Sequence, residues 1–71
     1  MNTPLTWPIA QHLFDKHNIY VSVEPYIKFN NSIAYLYKIF VNGILKESSP
    51  IDYDTPYEAF HFGLLSSQQY I

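Results

Sequence analysis

Two adjacent residues constrain this chain more than any others. Asn42-Gly43 stands between the apolar run Ile33–Val41 and Ile44-Leu45, and Asn-Gly in that setting is the strongest short-range hairpin signal, because a type I′ turn needs positive φ at both central positions. The pair predicts a hairpin with Val41 opposite Ile44, Phe40 opposite Leu45 and Lys38 opposite Glu47. Upstream, Ile19, Val21, Val23, Pro25 and Ile27 alternate with Tyr20, Ser22, Glu24, Tyr26 and Lys28. A period of two marks a half-buried strand. Asn30-Asn31-Ser32 interrupts the pattern with residues whose short side chains bond nearby backbone groups and tolerate turns. From Ile19 to Glu47 the chain therefore reads as a three-stranded antiparallel meander.

Charge chooses the register. A three-residue loop at Asn30-Asn31-Ser32 sets Phe29 opposite Ile33 and Glu24 opposite Lys38, and the hairpin adds Glu47 to the same row. Opposite charges across a ladder contribute about 0.2–1 kcal/mol each. A two-residue first turn would drive Lys38 into the apolar side beside Val23, and a slip of one residue exchanges the faces of a whole strand. The longer loop leaves an inner face of Ile19, Val21, Val23, Ile27, Ile33, Tyr35, Tyr37, Ile39, Val41 and Ile44. The outer face holds the row Glu24, Lys38 and Glu47 among Tyr20, Tyr26, Leu36, Phe40 and Leu45. That is more apolar surface than a small monomer usually leaves in water.

Helices flank the meander. Thr6 is placed to cap a first helix, with Pro8 tolerated in its first turn, and Asn18 to close it in the left-handed conformation. Its buried stripe is Ile9 and Leu13, flanked by Ala10 and Phe14; Trp7 is expected to pack at the start, and Met1–Leu5 form a loose lead-in. Beyond the third strand, the polar connection Ser48–Asp54 carries Pro50, which limits the strand to an edge role or ends it. Thr55-Pro56-Tyr57-Glu58 is a capping box with proline at the first helical position. The second helix is expected over about Pro56–Gln69, burying Ala59, Phe60, Gly63 and Leu64, with Ser67 and Tyr70 beside them. A glycine in mid-helix costs about 1 kcal/mol against alanine, so Gly63 either admits a close neighbour or is a tolerated weak position. The order α-β-β-β-α predicts an α+β domain of two layers, with both helices on one face of the sheet.

The 71 residues have room for one core. A chain this short buries about 60% of the surface its unfolded form exposes. Without cysteine it has neither disulfides nor thiolate chemistry. Oligomerisation is then the common remaining support. Six carboxylates against four lysines and no arginine give a formal charge of −2, which lacks the cationic surplus that draws phosphates. No apolar run approaches the roughly 20 residues of a membrane span, and no signal-peptide pattern opens the chain. A cytoplasmic protein with no nucleic-acid or membrane partner is expected.

Chemistry is hard to place. His12 and His17 are about 140° apart on a helix and share no face as an i, i+4 pair would, and His61 lies on the second helix away from both. Asp52 and Asp54 suit a turn and a helix N-terminus better than acid-base work. Gly43 and Gly63 are the only glycines, so there is no phosphate loop, and no nucleophile elbow or dinucleotide fingerprint occurs. No catalytic, metal or cofactor-binding residue is expected. Tyr20, Tyr26 and Phe40 suit a protein interface better than a base-stacking platform, because carboxylates flank the one lysine of their row.

Two stretches carry a resemblance: Trp7-Pro8-Ile9-Ala10-Gln11 leading to His17-Asn18-Ile19, and Tyr57-Glu58-Ala59 followed by Gly63-Leu64-Leu65. They resemble small uncharacterised proteins of Bacteroides-type gut bacteria and their phages. The resemblance implies the same helix, meander and helix, and brings no activity or cofactor. Where such proteins often carry charges in the last helix, this chain has His61, Phe62 and Ser66-Ser67-Gln68-Gln69, which adds Phe62 and Leu65 as contact candidates. The functional expectation is a non-enzymatic homodimer joined through Tyr20, Glu24, Tyr26, Leu36, Lys38, Phe40, Leu45 and Glu47. The alternative is a binder of a heterologous protein, a regulatory or anti-host factor of mobile-element origin.

Overall fold

The computed structural model describes residues 6–71, with side-chain surroundings from residue 8 onward. Helix α1 spans Thr6–His17, strands β1, β2 and β3 span Ile19–Ile27, Ile33–Val41 and Ile44–Ser48, and helix α2 spans Pro56–Ser67, followed by a 3₁₀ turn at Gln68–Tyr70. The strands form one antiparallel sheet in the order β1-β2-β3. The expected α+β fold is the observed one. The lead-in at Met1–Leu5, the capping role of Thr6 and the packing of Trp7 lie outside the described residues and side chains.

Three asparagines make the corners. Asn18 (φ 53°) ends α1, with its amide donating to the Phe14 carbonyl at 3.1 Å, and Asn42 (φ 53°) with Gly43 (φ 78°) forms the predicted tight hairpin. Their side chains meet, Asn18 Nδ2 donating to Asn42 Oδ1 at 3.0 Å, so the helix corner and the hairpin are fastened together. Asn31 (φ 63°) turns β1 into β2. This loop is longer than predicted: Ile27 pairs with Ile33, leaving five residues outside the ladder, and Lys28 N donates to Ser32 O at 2.9 Å. Glu24 therefore faces Leu36, and Ser22 faces Lys38. The slip is of two residues, so every side chain of β1 keeps its predicted face.

The second departure has the opposite effect. Val41 pairs with Ile44 and Phe40 with Leu45 as predicted, but the next pairs are Ile39 with Glu47 and Lys38 with Ser48. Lys46 is the extra residue of a β-bulge. Its insertion carries Glu47 from the outer face to the inner one.

The helices cover the inner face. Leu13 of α1, Ile19 and Val21 of β1, Tyr37 and Ile39 of β2 and Leu64 of α2 form the core, with Ala10, Val41, Tyr53, Phe60 and Tyr70 packed around it. Ala59, Gly63 and Ser67 are buried along α2. Gly63 is there because of its neighbours: a Cβ at this position would stand 2.6 Å from Val21 Cγ1 and 3.1 Å from Tyr37 Cβ. The helices leave the Ile27–Ile33 end of the sheet open, and Ile44 lies on the edge strand β3, so all three, expected inside, are exposed. On α1 the buried stripe is narrower than predicted. Leu13 is buried and Ala10 half-buried, while Ile9 and Phe14 are about half exposed.

The capping box of α2 forms with one difference. Glu58 N donates to Thr55 Oγ1 at 3.1 Å as predicted, but the Glu58 carboxylate accepts from the Thr55 hydroxyl at 3.0 Å rather than from its amide. Pro56 occupies the first turn.

Candidate interaction surface

The outer face is left uncovered by α1 and α2. Tyr20, 55% exposed, and Leu45, 48% exposed, stand on either side of half-buried Phe40. The Tyr20 and Phe40 rings lie 6.4 Å apart. Phe14, expected in the helix core, joins them: its ring meets Tyr20 edge-on at 6.4 Å, and it is 51% exposed. One aromatic row thus runs from α1 across β1 to β2. Periodicity alone could not find Phe14, because its position depends on how Asn18 swings the helix against the edge of β1.

The charges of this face are paired within it. Lys38 Nζ lies 3.1 Å from Glu24 Oε2, a diagonal pair across the shifted register. Asp52, read from sequence as a turn residue, instead reaches the far end of the face, where it accepts from the Tyr26 hydroxyl and sits 3.8 Å from Lys28 Nζ. The Asp52 bond favours the neutral phenol and raises the Tyr26 pKa. The segment carrying Asp52 returns to the sheet at Tyr53, whose amide and carbonyl both bond Tyr35 at 2.9 and 2.8 Å. Ala34, the pairing partner of Tyr26, is 1% exposed. Of the predicted surface, Tyr20, Glu24, Tyr26, Leu36, Lys38, Phe40 and Leu45 do share the outer face, Leu36 half-buried.

Glu47 does not share it. It lies under the end of α2, accepting from Tyr37 Oη at 2.8 Å, Tyr70 Oη at 2.9 Å, Gln69 Nε2 at 2.7 Å and the Ser66 hydroxyl. These donors, Ser66 foremost, hold its carboxyl below the usual range although partial burial pulls the other way. Burial and the bond to Glu47 raise the Tyr37 pKa; the bond to Glu47, aided by burial, raises that of Tyr70. All four donors come from the chain itself, so the carboxylate is a structural tie between the sheet edge and the C-terminal turn.

The remaining candidates are arranged for packing. Tyr37, Tyr53 and Phe62 stack successively at 6.2 and 5.2 Å, His61 meets Phe62 edge-on, and Tyr57 stacks on His61 at 6.4 Å. Phe62 and Leu65 remain partly exposed. The rings of His12 and His17, placed by spacing on separate faces, do meet edge-on at 5.8 Å; no group of three metal-ligating side chains occurs among the described residues. No described helix is long and apolar enough to cross a membrane. No protein-family model, curated protein or solved structure matches this chain.

Proposed function

We propose that the protein is a non-enzymatic interaction module that pairs with a second copy of itself through the outer sheet face. The observation that carries this reading is the row of exposed Phe14, Tyr20 and Leu45 around half-buried Phe40 on the side of the sheet that the helices leave open. Such rings supply large contact area with few torsions to freeze. Charge favours a like partner. With Glu47 turned inward, Lys38 is matched by Glu24 and Lys28 by Asp52 on the same surface, so two copies related by a two-fold axis bring together faces whose charges are already paired. The composition-based expectations of a cytoplasmic role without nucleic-acid partner accompany this reading.

Light scattering and sedimentation at micromolar concentration test it. The expected result is a mass twice that of the 8.3 kDa chain, reduced to the monomer by Phe40→Asp. A monomer at every accessible concentration would overturn self-association. In that case the same face would be left for a heterologous protein, the alternative reading, without the two-fold symmetry.

A further inference from the structure

A groove of about 680 Å³ runs beside β1, walled by Leu13 and Phe14 of α1 and by Tyr57 and Phe60 of α2. Five consecutive residues, Ile19 to Val23, line it. A hollow over one face of a sheet would be lined by alternate residues, because successive side chains point to opposite faces. Lining by all five places this groove alongside the strand, at its edge.

The hydrogen-bond pattern shows what that edge presents. Asn42 N donates to Asn18 O, and Lys28 N to Ser32 O, so the even-numbered residues at both ends of β1 turn their backbone toward β2. On β2, Tyr35 and Tyr37 direct theirs to the opposite side, toward Tyr53 and Ser49. In an antiparallel ladder these directions alternate. The amides and carbonyls of Ile19, Val21 and Val23 therefore face the groove, where no described backbone group bonds them. Pro25 is next in that series and has no amide to offer. Ser22 adds a second unfilled requirement: its hydroxyl is shielded from water and has no hydrogen-bond partner among the described residues.

We propose that this groove takes up an extended peptide of another protein, which adds to the sheet as a fourth strand beside Ile19–Val23. Backbone bonds to a bare edge supply affinity in such augmentation, and pockets for alternate side chains supply choice. The chemistry of the preferred segment follows from the two sides of β1. Residues turned toward the helices meet Val21, Phe60 and Leu64 and are apolar and β-branched. Residues turned to the outer side lie beside Ser22 and carry a hydroxyl, the pairing that serine favours across a ladder. A second copy fits the groove poorly, because its own β1 is flanked by the same two helices. The proposal does not depend on the outer-face dimer.

The test uses the full chain and an acetylated, amidated Thr-Val-Thr-Val-Thr peptide, followed by NMR and amide hydrogen exchange. In the free protein, Val21 and Val23 amides are expected to exchange far faster than those of Tyr20 and Ser22, and the peptide is expected to slow them several-fold while shifting Phe14, Tyr57 and Phe60 resonances. The same peptide N-methylated at both valines is expected to have no effect. Val23→Pro removes an amide that bonds nothing within the sheet, so the far-ultraviolet spectrum is expected to persist while the peptide response disappears; should that variant not fold, the N-methylated peptide decides. Equal protection of Val21 and Ser22 in the free protein would overturn the proposal. So would protection that rises with protein concentration alone, or binding of a small apolar dye without any peptide response.

Discussion

Gly63 lies so close to Val21 that a Cβ built on the glycine would stand 2.6 Å from Val21 Cγ1. The contact fixes how near α2 sits to the sheet. Gly63→Ala would bring about 1 kcal/mol of helix propensity, but the neighbour is a β-branched side chain on a strand and the backbone must move to relieve it. Overpacking of this kind costs about 1–3 kcal/mol. A net loss of stability in urea denaturation is expected; an alanine variant as stable as the parent would show that α2 can lift away freely.

Glu47→Ala removes the acceptor shared by Tyr37, Ser66, Gln69 and Tyr70. Bonds to a charged group are the stronger kind, and a loss of about 2 kcal/mol is expected, together with fraying of Gln68–Tyr70. Hydrogen exchange of the last residues beside a denaturation curve measures both effects.

The same carboxylate gives an acid limb. Its folded pKa lies below the 4.5 of an ordinary glutamate, so its stabilisation is complete above that value and is lost as pH falls through the depressed one. Glu47→Gln is expected to flatten this part of the stability curve. At the alkaline side Tyr37 and Tyr70 have pKa values raised from 10.0. Their contribution is present below pH 10 and fades as pH rises through the raised values, which a tyrosinate absorbance titration follows.

Deleting Lys46 is expected to cost less than Glu47→Ala. The ladder already pairs Phe40 with Leu45 and Ile39 with Glu47, so deletion regularises the strand and leaves the carboxylate facing inward. Persistence of the acid limb in the deletion variant checks this; its loss would mean that the bulge itself aims the side chain.

Parity explains what could be read from the residues. The loop after β1 is two residues longer than Asn30-Asn31-Ser32, and an even slip moves the Glu24–Lys38 pair from opposite to diagonal without turning any side chain over. The bulge at Lys46 is odd, and one unsignalled residue sends Glu47 to the far side. Alternation in Ile44–Ser48 is too short to reveal such an insertion, since its only strong apolar markers, Ile44 and Leu45, precede it. The capping box at Thr55, the left-handed corner at Asn18 and the Asn42-Gly43 turn were legible because each rests on local backbone geometry. The exposure of Ile27 and Ile33 was not, because it depends on how far α1 and α2 reach along the sheet, nor was that of Ile9 and Phe14, which depends on how α1 is set against the edge of β1.

Pro25 has a wider consequence. A chain that is 48% hydrophobic and keeps a bare strand margin risks endless stacking into fibrils. Here the imide nitrogen breaks one margin after three open positions, and the bulge distorts the other, five-residue margin. Growth by strand addition is thereby confined to one short guest.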